Sequence, residues 1–203
     1  VRQHVYGRAY LGQRLEQLNA IGASLSAERD INRLLESILV AAKTITRADG
    51  GTLYRVADDR TLRFEIVRTT SLQYYLGGTT GTPVPFYPIH LAGKDGKPNH
   101  SMVAAYAALT GKTVNIPDAY TAEGFDFSGT RNFDKKTGYR SKSFLTVPMK
   151  NHENEIIGVL QLLNAIDAAT GKVTVFSDED RRLAESLASQ AAIALTNRLL
   201  IQQ

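Results

Sequence analysis

Hydrophobic residues recur along the chain with helical spacing in three segments. The first series steps by four and three residues, which is typical of a coiled-coil seam; it consists of Leu11, Leu15, Leu18, Gly22 and Leu25. A second apolar stripe follows Asp30, a good N-cap residue, and predicts a helix that ends at Asp49-Gly50-Gly51. A third stripe follows the N-cap candidate Ser177 and predicts a final helix.

Four segments carry the β-branched and alternating pattern of strands, and they fall into two hairpins. The first hairpin pairs residues 52–56 with 62–69, and the second pairs 143–149 with 155–164. Because hairpins join antiparallel strands, the predicted fold class is α+β and not a doubly wound parallel sheet.

Two long polar segments interrupt this order of elements. Residues 70–100 are rich in glycine and proline, and residues 118–142 are rich in charge; loops of this length inside a domain are usually functional. Between them we expect a short helix over 101–109 and a strand over 113–116. We interpret residues 1–25 as a coiled-coil-like helix and 26–203 as one domain with a C-terminal relay helix.

The amino-acid composition excludes several kinds of functional site and several classes of protein. Of the 203 residues 43% are hydrophobic, and the net charge is +4, which is too small to indicate nucleic-acid binding by itself. The chain has no cysteine, so thiol catalysis and cysteine metal sites are excluded. No apolar run approaches the roughly 20 residues that a bilayer requires. We therefore expect a cytoplasmic protein without membrane insertion or nucleic-acid binding.

Sequence-local catalytic motifs are missing. The four histidines fall in four different segments, without metal-ligand spacing. No serine lies in a strand-turn-helix nucleophile motif. We therefore expect no enzymatic activity, although an enzyme assembled from distant residues stays an alternative.

One part of the second polar segment combines cations, hydroxyls and aromatic rings, which together suit an anionic ligand with a flat ring. Its cations and rings are Arg131, Lys135, Lys136, Arg140, Lys142, Phe125, Phe127, Phe133 and Tyr139. The alternative is a solvated loop whose aromatic rings pack into the core and whose Asp134 pairs with Arg140.

The order and spacing of five motifs resemble the GAF domain family, in particular the branch of cyclic-nucleotide phosphodiesterases and adenylyl cyclases. These motifs are Leu109-Thr110-Gly111, Asn115-Ile116-Pro117-Asp118, Phe133 to Arg140, Leu145-Thr146-Val147-Pro148, and Ile157 to Asn164. The resemblance covers about residues 15–200. It implies a central antiparallel sheet with the terminal helices on one face and a ligand pocket under loops on the other.

The resemblance also implies the binding residues. Carried over by position, and with Arg140 added for its charge, they are Thr52, Arg68, Val103, Ala104, Asp134, Thr137, Arg140, Ser141 and Gln161. The family's lysine-aspartate pair is absent, because Ala165 stands at the lysine position while Asp180 is kept. No cofactor is fixed; the expected ligand is a cyclic nucleotide or another small anion.

In function, the resemblance implies a sensory domain of a bacterial signalling protein that controls an attached output domain, such as an HD-type phosphodiesterase, a cyclase or a kinase. The leucines of both terminal helices predict a homodimer through a helical bundle. The alternative is a GAF domain without ligand that serves only for dimerisation and helix relay.

Overall fold

The structure is a computed structural model that describes the backbone of residues 2–202 and the side chains of residues 12–200. In this part of the chain there are five α-helices: α1 Arg2–Ala27, α2 Ile31–Thr46, α3 Val103–Thr110, α4 Ser128–Thr137 and α5 Asp178–Gln202. Its strands are β1 Ala48–Val56, β2 Thr61–Thr69, β3 Tyr74–Gly77, β4 Ile89–His90, β5 Val114–Ile116, β6 Phe144–Lys150, β7 Ile156–Ile166 and β8 Val173–Thr174.

The strands form one antiparallel sheet in the order β3-β2-β1-β7-β6-β5. Strand β4 pairs with β2, and β8 pairs with β7. Both predicted hairpins are present, as β1-β2 and β6-β7, and the α+β prediction is confirmed.

Helices α1, α2 and α5 cover one face of the sheet, as predicted. Arg14 of α1 contacts Asp180 near the start of α5, and Arg198 near the end of α5 donates to Ser26 O at the end of α1, so the two helices run parallel. Leu18 and Leu25 of α1 are buried in the same core as the inward residues of α2, α5 and the sheet. The side chain of Leu11 lies outside the described residues.

The predicted caps of two helices are confirmed. Asp30 accepts a hydrogen bond from the Arg33 amide at 2.9 Å at the start of α2. Ser177 Oγ accepts from the Asp180 amide at 3.0 Å, while the Asp180 carboxylate accepts from the Ser177 amide, which is a reciprocal capping arrangement.

The predicted end of α2 at Asp49-Gly50-Gly51 is wrong, since these residues already belong to β1. The helix ends at Arg47, whose left-handed φ of 58° turns the chain and whose amide donates to the last carbonyls. A Cβ on Gly51 would lie 2.8 Å from the Gln161 carbonyl oxygen, so this glycine permits close strand pairing and does not form a turn.

The two segments predicted as loops contain regular structure. Residues 70–100 include the short strands β3 and β4, which extend the edge of the sheet. Residues 118–142, which we call the lid, contain α4, a mostly polar helix that ends at Gly138 with a left-handed φ of 73°. The remaining predicted elements are found within two or three residues of their expected positions.

The close pairing of β1 and β7 leads to a stability prediction. A Cβ on Gly158 would lie 2.4 Å from the Tyr54 carbonyl oxygen, whereas a Cβ on Gly12 in α1 would meet nothing within 4 Å. We expect Gly158→Ala to lower the free energy of unfolding by about 1–3 kcal/mol. Gly12→Ala should raise it by about 0.5–1 kcal/mol, because alanine favours the helix. Urea unfolding measures both, and equal midpoints for Gly158→Ala and wild type would contradict the pairing.

Candidate ligand cavity

A cavity of about 410 Å³ lies on the face of the sheet opposite to α1, α2 and α5. Its volume is within the range of small-molecule sites, roughly 300–1,000 Å³. The sheet forms its floor, and α3, the lid and residues 86–89 form its walls. The lining residues are Gly51, Thr52, Tyr54, Phe64, Val67, Thr69, Phe86, Tyr87, Ile89, Met102, Val103, Ala104, Asp126, Phe127, Gly129, Thr130, Phe133, Ser141, Phe144, Gln161 and Leu163.

Aromatic rings dominate the walls. The rings of Tyr54 and Phe64 lie 4.7 Å apart between centroids, and Phe86 packs edge-on against Phe64 at 5.3 Å. On the other side Phe127 stacks with Phe144 at 5.6 Å. These rings offer flat apolar surfaces to a planar ligand.

Gln161 is the main polar side chain of the floor, and its orientation is held from two sides. The Tyr54 hydroxyl donates to its Oε1 at 3.2 Å, and its Nε2 donates to Thr146 Oγ1 at 3.0 Å. Burial raises the pKa of Tyr54, which keeps the phenol protonated as a donor. Since an amide has two N–H groups and two lone pairs on its oxygen, one donor and one acceptor stay available for a ligand.

Two helices begin at the cavity wall. Met102 precedes α3 and Phe127 precedes α4, and neither side chain caps its helix with a hydrogen bond. The first-turn residues Ala104 and Gly129 both line the cavity. First-turn amides have no acceptor within their own helix and carry partial positive charge. Because the Ser128 amide at the start of α4 already donates to Asp126 at 2.9 Å, the donors left for an anion are the other first-turn amides of the two helices.

None of the described lining residues is lysine, arginine or histidine. The lining contains one carboxylate, Asp126, whose pKa is lowered by hydrogen bonds from Ser128, so that it is ionised at neutral pH. A bound anion would thus accept hydrogen bonds from backbone amides, away from the Asp126 carboxylate, and would not contact the cations of the lid.

The structure separates the predicted site residues into two groups. Five of them line the cavity: Thr52, Val103, Ala104, Ser141 and Gln161. Four do not belong to its lining: Arg68, Asp134, Thr137 and Arg140.

Arg68 lies on the helix-covered face of the sheet. Its neighbours Val67 and Thr69 line the cavity, and alternation along β2 turns Arg68 the other way. There its guanidinium forms an ion pair with Glu36 of α2. The prediction that Arg68 contacts a ligand in the cavity therefore assigned its side chain to the wrong face of β2.

Asp134 is buried and fastens the lid. Its carboxylate accepts from the Tyr120 hydroxyl at 2.6 Å, from the Ser141 amide at 2.9 Å and from Ser141 Oγ at 2.8 Å. Asp134 therefore positions Ser141 in the cavity wall and does not itself reach the cavity. The alternative prediction, that Asp134 pairs with Arg140, is wrong, because Arg140 pairs with Asp118.

Arg140 instead clamps the start of the lid. Its Nη2 lies 2.9 Å from both carboxylate oxygens of Asp118, and its guanidinium carbon lies 3.6 Å from the centre of the Tyr120 ring. Burial alone would raise the pKa of Asp118, but the Tyr120 amide and Arg140 lower it overall. Thr137 Oγ1 donates to the Phe133 carbonyl of its own helix at 2.8 Å.

The end of the lid is anchored to the sheet by Asn164 and Tyr139. Asn164 Oδ1 accepts from the Lys142 amide at 2.7 Å, and its Nδ2 donates to the Tyr139 hydroxyl at 2.9 Å. The same hydroxyl donates to Asp49 in β1 at 2.6 Å. These hydrogen bonds and the Arg140–Asp118 ion pair thus fasten the lid at both ends.

Several lining residues were not predicted as site residues, chiefly Tyr54, Phe64, Phe86, Tyr87 and Asp126. Tyr54 could have been found from its sequence position, because it shares a strand face with Thr52 two residues earlier. Phe86 and Tyr87 lie in the proline-rich segment, where no periodicity indicates direction.

The role of Asp134 leads to a prediction. Asp134→Ala removes the acceptor of three hydrogen bonds and leaves buried donors unpaired, so it should lower the free energy of unfolding by about 1–3 kcal/mol. Lys136→Ala, at an exposed position of the same helix, is the matched control and should change it little. Chemical denaturation measures both; equal stabilities for the two variants would contradict the fastening role.

Comparison with known proteins gives a family and a fold. The model of the GAF domain family matches residues 30–195. A protein from Takifugu rubripes named dual 3′,5′-cyclic-AMP and -GMP phosphodiesterase 11A is 30% identical over 176 residues, which are 87% of this chain and 18% of that protein. The Drosophila melanogaster dual phosphodiesterase 11 is 34% identical over 101 residues, 50% of this chain and 6% of that protein. The chain thus spans less than a fifth of the length of these relatives.

Solved structures share the fold at low identity. The GAF domain of an Acinetobacter phosphoenolpyruvate-protein phosphotransferase has a TM-score of 0.66 at 14% identity, covering 94% of this chain and 97% of that one. Free methionine-R-sulfoxide reductase from Neisseria meningitidis has a TM-score of 0.62 at 16% identity, covering 93% and 91%. At such identities the likeness concerns the fold alone.

Proposed function

The chain belongs to the GAF domain family, whose members act as regulatory or sensory domains of signalling proteins, and from this membership we propose that its cavity binds a cyclic nucleotide or another small planar anion. Binding would control an attached output domain. The observation that carries the proposal is the cavity itself, because aromatic walls, an oriented amide and two helix starts converge on it.

Each part of the cavity suits one part of such a ligand. A planar ring would bury apolar surface against the aromatic side chains of the wall, which include Phe64, Phe127 and Phe144. The donor and acceptor left on Gln161 suit the polar edge of a heterocycle. An anionic group suits the first-turn amides of α3 and α4. The named cyclic-nucleotide phosphodiesterase relatives support this ligand class.

Ligand binding would be transmitted from the cavity to the helices through the sheet, because the same strand has residues on both faces. In β1, Thr52 and Tyr54 line the cavity, whereas Leu53 between them is packed in the core under α2 and α5. A ligand that shifts β1 or its partner β7 therefore also shifts the packing of the helices. An HD-type phosphodiesterase, a cyclase or a kinase attached to these helices would receive the change.

Thermal unfolding with a panel of cAMP, cGMP and other metabolites tests the proposal. A ligand at about 100 times its dissociation constant should stabilise the wild type by roughly 2.7 kcal/mol. Gln161→Ala should reduce the ligand-induced shift, whereas Thr137→Ala should retain it, since Thr137 does not line the cavity. A panel without any stabilising compound would contradict the ligand-binding function, and loss of the shift in Thr137→Ala alone would contradict the assigned site.

The expectations about metal binding, biological source, location and catalysis belong to the same proposal. Within the described residues no group of three or more His, Cys, Asp or Glu side chains could hold a metal ion. From the family membership we further propose a bacterial, cytoplasmic sensory domain without catalysis of its own. One neighbour of the same fold is a reductase, so turnover of any bound compound would overturn that last point. Among the described residues, no helix has the length and apolarity needed to span a membrane.

Homodimerisation through the terminal helices is also proposed, and it is the basis of the alternative function without a ligand. Most leucines of the two helices are buried within one chain, but Leu15 and Leu200 are 56% and 64% exposed. Light scattering at high micromolar concentration should give a dimer mass, and Leu15→Glu should shift it toward the monomer. A monomer mass for the wild type would contradict the dimer.

A further inference from the structure

A short segment that the resemblance did not address contributes Phe86, Tyr87 and Ile89 to the cavity wall. We call residues 82–89 the strap. It is tied at one end by the Gly77 amide, which donates to the Thr82 carbonyl at 2.7 Å. At the other end Ile89 pairs with Leu62 in the sheet. Both ends are therefore fixed to the edge of the sheet.

Between these anchors the strap is held by little. Pro83, Pro85 and Pro88 have no N–H group, and within the described structure no hydrogen bond involves residues 83–88. The strap can thus change its path over the cavity without breaking a backbone hydrogen bond, while the prolines restrict it to extended conformations.

The strap carries two aromatic rings toward the cavity mouth. Phe86 is already seated, because its ring packs edge-on against Phe64. Tyr87 also lines the cavity, yet 92% of its surface is exposed, and among the described residues its hydroxyl and ring have no partner. The exposed ring of Tyr87 therefore offers a flat apolar face that a bound molecule could contact.

We propose that Tyr87 is a ligand-contacting residue that stacks on the planar ring of the bound molecule and closes the cavity mouth. The inference rests on the proposed function and specifies its ligand class further, since a stacking tyrosine selects compounds with a flat ring. Phe64 and Phe86 would hold one side of that ring and Tyr87 the solvent side.

Three variants test the contact by calorimetric titration with cAMP and cGMP. Tyr87→Ala removes the ring and should weaken binding roughly 5- to 150-fold, which corresponds to about 1–3 kcal/mol for one base-aromatic stack. Tyr87→Phe keeps the ring and should bind within about twofold of wild type. Tyr75→Ala is the matched control, because Tyr75 is 39% exposed on β3 and does not line the cavity; it should also bind like wild type.

Stability measurements separate this role from a structural one. Because Tyr87 is 92% exposed and has no hydrogen-bond or ring partner among the described residues, Tyr87→Ala should melt close to the wild-type temperature without ligand. With saturating ligand it should gain less stability than wild type. Equal affinity of Tyr87→Ala and wild type would overturn the inference while leaving the proposed function intact.

A fluorescence readout observes closure directly. The chain has no tryptophan, so Tyr87→Trp introduces a single reporter. Its emission should move to shorter wavelength when the nucleotide binds, whereas the emission of Tyr75→Trp should not change. Unchanged Tyr87→Trp emission at saturating, calorimetrically verified binding would overturn closure. If neither nucleotide binds the wild-type protein, this inference fails, whereas the proposed function fails only if no compound of the wider metabolite panel stabilises the protein.

Discussion

The register between β1 and β7 determines both the core and the cavity. Leu53 pairs with Leu160 and packs under the helices, whereas Thr52 pairs with Gln161 on the cavity floor. A shift of one residue would exchange the two faces and place polar groups in the core. Gly51 and Gly158 hold this register, because a Cβ at either position would meet a carbonyl oxygen of the partner strand. The site therefore depends on the same pairing that forms the hydrophobic core.

The lid illustrates how charged residues can belong to the architecture. Arg140 is bound to Asp118 and Tyr120, and Arg131 donates to the Tyr120 carbonyl at 3.0 Å, so both hold the lid's own backbone and rings. An anion in the cavity would then depend on the amides at the starts of α3 and α4. Backbone donors are fixed in geometry and carry no side-chain entropy, which favours selection by shape over selection by charge. Asp180, the retained aspartate of the family's lysine-aspartate pair, likewise has another partner here: it forms an ion pair with Arg14 of α1 at 3.0 Å.

Elements with a strong hydrophobic period could be predicted from the sequence, and five of the 21 residues that line the cavity were among the expected binding residues. The stripes of α2 and α5 and both hairpins follow from spacing alone, because burial of one face imposes that spacing. Helix α4 escaped prediction because it is mostly polar and is held by side-chain contacts such as that of Asp134. Arg68 was placed on the wrong face, since one residue of register decides between the cavity and α2. Tyr87 could not be predicted from a hydrophobic period, because the conformation of the strap is set by its prolines and not by burial of one face.

The central claim is that a planar anion binds between the sheet and the starts of α3 and α4. Titration of ¹⁵N-labelled protein with cGMP, followed by amide NMR, tests it most directly. The account predicts the largest shifts at the backbone amides of Val103, Ala104, Gly129 and Thr130 and at the side-chain amide of Gln161, with little change at Arg68 and Thr137. Absence of shifts at saturating nucleotide, or shifts confined to the outer lid around Lys135 and Lys136, would contradict it.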